Sequence, residues 1–211
     1  MGSVALQSPE VVPLKVTPAA EGRFLNLFDL LEDRSSVRRF SPDFVPLPLF
    51  SSLLWSVYGF TSEGRRVVPS AGAIYPMRVY ASVKRVEGLA PGLYLYLPRE
   101  AELLPVSQRE ASRELASCCF GGGRHVMESA FCLVLVALYG AICEVYGERG
   151  VLYAHQESGH MAQNAYLAAA ALGLGVVAVG AFDERRARSA LGLSERDAEA
   201  LYLLPAGFPS R

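Results

Sequence analysis

Arg34, Ser35, Ser36, Val37 and Arg38 place two guanidinium groups and two hydroxyls within one short stretch of chain. Guanidinium donors are forked and match the oxygens of a phosphate, while a serine hydroxyl adds a short hydrogen bond, so the cluster suits an anion. The solvated end of a helix has the same composition, and the cluster alone does not separate the two readings. A second segment, VVPSAGAIYP at 67–76, sets Pro69 and Pro76 around Ser70, Ala71, Gly72 and Ala73. Prolines fix the path of such a segment and small residues keep it thin, so a flat aromatic group can lie against its backbone. An ordinary surface loop is the plainer alternative. A third segment, VAVGAFDE at 177–184, reads as a buried strand ending in Gly180 and Ala181, whose free amides can meet a polar ligand edge.

Other chemistries lack their residue patterns. His155 and His160 are five apart, so on one helix they point in different directions, unlike an i, i+4 metal pair. His125 stands alone in a glycine loop, and no metal site is expected. There is no GxSxG, and Gly121-Gly122-Gly123 has neither the Lys-Ser/Thr of a P-loop nor the spacing of a dinucleotide fingerprint. Cys118, Cys119, Cys132 and Cys143 form no CxxC pair and read as free thiols in a reducing cytoplasm.

A length of 211 residues suffices for one domain with a proper core. A hydrophobic content of 51% with 19% charge excludes a disordered chain. A formal net charge of -1 without a basic block argues against nucleic-acid binding and for a small-molecule substrate. The apolar content also hints at surface covered by a partner subunit. The N-terminal stretch lacks the pattern of a signal peptide. Residues 131–143 are too short to span a membrane, and 165–182 is interrupted by Gly173, Gly175 and Gly180.

Residues 1–22 read as an arm, flexible or strand-like, and 23–211 as a single domain. FLNLFDLLEDR predicts a helix burying Phe24, Leu27, Phe28 and Leu31, and a second helix is expected over 47–58, ending at Gly59. MRVYASVKRV and GLYLYLP predict a hairpin, with Tyr94 and Tyr96 on one face. A short helix followed by the glycine loop is expected over about 107–129, then a buried strand FCLVLVALY and a long helix from about 150. VVAVG reads as another buried strand, and a short helix near 183–190 and the strand ALYLLPAG close the chain. The irregular alternation points to α+β, not a doubly wound parallel fold.

Taken in order, RSSVRRFS, LLWSVYG, PSAGAIYPMRVY, VEGLAPGLYLY, VYGERGVLYAHQESGHMAQNAYLAAAALGLG, VGAFDE and LYLLPAG resemble the nitroreductase-like flavoproteins, and within them the SagB-type dehydrogenases. The resemblance spans about residues 30–207. It implies an α+β fold with a mostly antiparallel central sheet flanked by helices. It also implies a homodimer with one FMN in each of two shared sites, and NADH or NADPH as electron donor. By family position, Arg34, Ser35, Ser36 and Arg38 hold the phosphate and ribityl chain. Pro69, Ser70, Ala71 and Gly72 come from the other subunit and lie against the isoalloxazine ring, and Gly180 and Ala181 present backbone near its N5 and O4 edge. Gln163 and Asn164 reach the flavin or the dimer seam, or else belong to a close-packed core or interface helix, and Arg211 stands where a late basic phosphate ligand is placed. The expected activity is FMN-dependent reduction of a nitroaromatic or quinone-like molecule. The alternatives are a biosynthetic azoline dehydrogenase and a non-catalytic flavin-binding partner protein. One departure bears on the azoline reading: the family's azoline dehydrogenases carry Lys-Tyr before Gly-Glu-Arg-Gly, and here the pair is Val145-Tyr146. Valine cannot act as a base, which leaves Tyr146 as the catalytic candidate, either a proton donor or a packed ring.

Overall fold

The computed structural model describes residues 10–14 and 26–210. Phe24, Arg211 and most of the N-terminal arm lie outside the described residues. The strands are β1 (Val12–Pro13), β2 (Met77–Val83), β3 (Gly92–Leu97), β4 (Glu102–Ser107), β5 (Phe131–Leu138), β6 (Gly175–Val176) and β7 (Ala198–Gly207). They form one sheet in the order β1-β4-β3-β2-β5-β7-β6, and every neighbouring pair is antiparallel. The helices are α1 (Leu27–Asp33), α2 (Leu47–Tyr58), α3 (Ser112–Cys118), α4 (Arg124–Glu128), α5 (Tyr139–Tyr146), α6 (Arg149–Leu172) and α7 (Glu184–Leu191). The fold is α+β, as the irregular alternation of elements predicts.

The unbroken apolar run of β5 follows from its place in the sheet, because helices cover both faces and leave no polar side. Phe131, Leu133, Leu135 and Ala137 face a core shared with α2 and α6. Cys132, Val134 and Val136 face a second core shared with α3 and α7. Alternation does the same on β3, where Tyr94 and Tyr96 enter the first core and Leu93 the second. All four cysteines are free. No helix among the described residues is long and apolar enough to cross a membrane.

α2 matches its predicted bounds. Phe50, Leu53, Leu54 and Val57 are fully buried on one face. At Gly59 a Cβ would lie 2.2 Å from Trp55 Cδ1, so only glycine lets the chain turn back over that ring.

Three expectations need correction. α1 is capped by Asn26, whose side chain accepts from Phe28 N at 3.0 Å, and its apolar face is not buried: Leu27 is 56% and Phe28 75% exposed. Period 3.6 reports that a face is apolar, not that the same chain covers it. VVAVG is not one strand either, because β6 ends at Val176 and Ala178 N leaves the ladder to donate to Tyr166 Oη at 2.8 Å. Gly180 and Ala181 are therefore exposed loop backbone, not the end of a buried strand. Finally, β4 and α5 occupy segments for which no element was expected.

Candidate functional site

Arg34 caps α1 through its N–H, which donates to Leu30 O at 3.0 Å. Its guanidinium then lies over the ring of Tyr166 on α6, 5.4 Å from the centroid. Ser36 Oγ and Tyr166 Oη are 3.0 Å apart and hydrogen-bonded. Val37 N–H donates to Val176 O at 3.0 Å, so the Arg34–Arg38 segment is fastened to both α6 and β6. Ser35 and Arg38 are exposed, and Arg38 Nη1 donates to Ser36 O at 3.3 Å. This leaves a row of cationic and hydroxyl donors on a fixed backbone. Burial, and then the nearby Arg38, lower the proton affinity of His125, whose buried Nε2 has no hydrogen-bond partner.

The second arm is the 67–76 segment. It makes one 3-10 turn, Ala71–Ala73, closed by Ala73 N–H to Ser70 O at 3.1 Å and Ile74 N–H to Ala71 O at 3.2 Å. Gly72, Ala73 and Tyr75 have φ of 58°, 54° and 55°, a left-handed region costly for the two that are not glycine. Pro69 and Gly72 are exposed, while Ser70 and Ala71 are half-buried. A Cβ on Gly72 would come within 2.7 Å of Tyr146 Oη, so the tyrosine of the Val145-Tyr146 pair stands directly against this thin wall. Tyr146 also packs edge-on to Tyr153, with centroids 5.0 Å apart.

Beneath the wall is a polar cluster that has no local sequence signal. Glu157 on α6 is 1% exposed, and its Oε1 accepts from Tyr58 Oη at 3.0 Å. Arg66 Nη1 donates to Tyr58 O at 2.8 Å, and its guanidinium lies 4.2 Å from the Tyr58 centroid and 4.1 Å from that of Phe60. Asn164 Nδ2 donates to Ser56 O at 3.0 Å and Val67 O at 3.3 Å, stapling α6 to α2 and to the wall. Gln163 is exposed on α6. Tyr166, Glu157, Tyr58 and Arg66 escape sequence reasoning because their partners are remote along the chain.

The two arms meet α6 at different places. Glu157 and Asn164 are seven residues apart and share a face, whereas Tyr166 is nine residues beyond Glu157. At 3.6 residues per turn and 1.5 Å rise, that offset is about 180° around the helix and about 13 Å along it. One chain therefore presents its arginine–serine arm and its thin wall on opposite sides of α6. Among the described residues, no group of three or more His, Cys, Asp or Glu side chains is placed to hold a metal ion.

The family model described as Nitroreductase family matches residues 31–208, nearly all of the described chain. The chain belongs to the nitroreductase family. A protein of Methanocaldococcus jannaschii named as a nitroreductase is 38% identical over 184 residues, covering 87% of this chain and 91% of its own. A solved structure so named from Anabaena variabilis superposes with a TM-score of 0.84 at 24% identity, covering 96% of this chain and 42% of that one. This chain thus spans less than half the length of that neighbour. Another, from Desulfovibrio desulfuricans and in complex with FMN, gives 0.64 at 20% identity, covering 90% of this chain and 89% of that one. At such identities the likeness speaks for the fold. The microcin B17-processing protein McbC of Escherichia coli is 32% identical over 114 residues, 52% of this chain and 42% of McbC. This nitroreductase-family chain is accordingly an oxidoreductase.

Proposed function

We propose that the protein is an FMN-dependent oxidoreductase, linked to NADH or NADPH, that reduces a small electron-poor molecule such as a nitroaromatic or quinone. FMN fits the residues present. The Arg34, Ser35, Ser36 and Arg38 donors match a phosphate and a polyol, and the exposed Pro69 and Gly72 present thin backbone to a flat ring. When bound, the flavin supplies hydride acceptance and donation at its ring. The chain's own residues bind and orient. Arg34 and Arg38 neutralise the phosphate, Tyr166 holds Ser36 in place, and the Pro69–Gly72 backbone forms a flat wall that excludes water from one side. Gly180 and Ala181 offer exposed backbone for the polar edge of the ring. The observation that carries this reading is the row of arginine and serine donors from Arg34 to Arg38, fastened to α6 and β6 through Ser36 and Val37.

Because the two arms of one chain lie on opposite sides of α6, a complete site takes its wall from a second copy. The exposed Leu27 and Phe28 on α1 and Val145 and Leu152 at the junction of α5 and α6 supply apolar surface for such a homodimer. A cytoplasmic setting accords with the free thiols.

A second reading, an azoline or other biosynthetic dehydrogenase, is favoured by the likeness to McbC. Val145 counts against it, since the position lacks a base. Tyr146, beside Gly72, is the residue either activity has available as a proton donor.

Reconstitution with FMN followed by desalting tests the main reading, with retained visible flavin absorbance as the expected result. A colourless protein would sink it. Replacing Arg34→Ala and Arg38→Ala together removes two charge-assisted contacts and should weaken FMN binding by about a hundredfold or more. Unchanged retention would overturn the phosphate assignment. Anaerobic bleaching by NADH or NADPH marks a reductase, and its absence marks a dedicated dehydrogenase.

A further inference from the structure

Glu157 is an expensive residue for its position. It is 1% exposed at the centre of α6, and among the described residues no cation lies within ion-pair distance of it. A buried carboxyl without an ion pair costs stability, and an apolar side chain of similar size would pack there more cheaply. Filling space does not account for it.

Its surroundings all lead to the 67–76 wall. Tyr58 Oη donates to Glu157 Oε1 at 3.0 Å and itself accepts from Met77 N at 3.3 Å, the first residue of β2. Ser70 Oγ accepts from Tyr75 N at 2.9 Å, and the Ser70 hydroxyl is the strongest of the neighbours that stabilise the ionised carboxyl. The Met77 end of the Ser70–Met77 stretch is therefore tied to the carboxyl through the Tyr58 hydroxyl, while the Ser70 hydroxyl closes the turn through Tyr75 N. Between those ends Ala73 and Tyr75 sit in the left-handed region. Non-glycine residues persist there only when the surroundings impose it.

We propose that Glu157 is a positioning residue: its buried carboxyl, acting through Tyr58 on the start of β2, holds the strained Ser70–Tyr75 turn in the shape that lets Pro69–Gly72 lie against a flavin ring. The inference rests on the FMN reading for its consequence, but the positioning itself is a property of the chain. Glu157 Oε2 is buried and has no hydrogen-bond partner among the described residues. Burial raises the carboxyl's proton affinity, opposed by Ser70, Tyr58 and Arg66 from the wall and α2 and by His160 from its own helix. A proton on Oε2 leaves Oε1 free to accept from Tyr58, so the anchor works in the neutral form.

The test uses the full chain, with and without FMN, as wild type, E157Q, E157L and S70A. Glutamine keeps a neutral acceptor and leucine keeps only the volume. Loss of the anchor in E157L and S70A should speed amide exchange over residues 70–75 and weaken FMN binding, each by roughly tenfold, while E157Q stays near wild type. A third readout is the melting temperature against pH. An acid whose folded proton affinity is raised costs stability as pH climbs from its unfolded value of 4.5 through its folded value. E157Q should therefore gain on wild type as pH rises above that point. Protected exchange and tight FMN binding in E157L would show that volume alone suffices and would overturn the proposal, as would a pH-independent gap between E157Q and wild type. If wild type holds no FMN, the flavin reading falls and the exchange over 70–75 alone decides the role of Glu157.

Discussion

From Phe131 to Ala137 every residue of β5 is buried, none is charged, and none needs an unusual backbone angle. The turn from Ser70 to Tyr75 leads into the neighbouring strand β2, yet it holds two non-glycine residues at positive φ and stands over a buried carboxyl. One region is stabilised by apolar burial that any well-packed strand would provide. The other gives up stability to hold a particular shape. Such local costs cluster where a surface has to meet a ligand, and they persist because the rigid sheet beside them tolerates the expense.

Three substitutions probe this contrast. The largest effect is expected in the sheet. Phe131 is fully buried and meets Phe50 edge-on with centroids 4.9 Å apart, so Phe131→Ala should cost about 3–5 kcal/mol in denaturant unfolding. FMN affinity of the remaining folded protein should be unchanged, and a parallel loss of affinity would erase the distinction between scaffold and site. Next comes Tyr166→Phe, which removes the hydroxyl shared by Ser36 and Ala178 N. It should lower stability by about 1–2 kcal/mol and also loosen FMN, a double effect that Phe131→Ala lacks. Equilibrium flavin titration beside thermal melts separates the two outcomes. The smallest effect, and of opposite sign, belongs to Ala73→Gly: relief of the left-handed alanine should stabilise by about 0.5–1 kcal/mol after the entropy cost of glycine. Calorimetry showing a loss instead would mean that the turn carries no strain.

Legibility followed the range of the interactions. α2 was readable because Pro46, the spacing of Phe50, Leu53, Leu54 and Val57, and Gly59 are all local marks of start, buried face and stop. β4 was not, since Pro105 in its interior breaks a strand pattern, and it is tolerated here near the sheet edge, where only the two-residue β1 lies beyond. α5 starts directly on the end of β5 with no capping side chain, and eight residues give too little periodicity to announce it. The Arg34–Arg38 cluster and the thin 67–76 segment were visible as composition, but the tyrosine that orders the first and the glutamate beneath the second were not.

The fold class, the buried strand FCLVLVALY and the residue types of both arms are legible in the chain alone, because periodicity, prolines and glycines act over a few residues. Only the folded chain brought Tyr166 to Ser36 and Glu157 to Tyr58. It also decided that the apolar face of α1 is left open and that Ala178 N is drawn out of its ladder. The tyrosine and glutamate contacts depend on hydroxyls and carboxyls meeting partners 12 to 130 residues away. No local pattern in a chain encodes which distant group will complete a buried hydrogen bond.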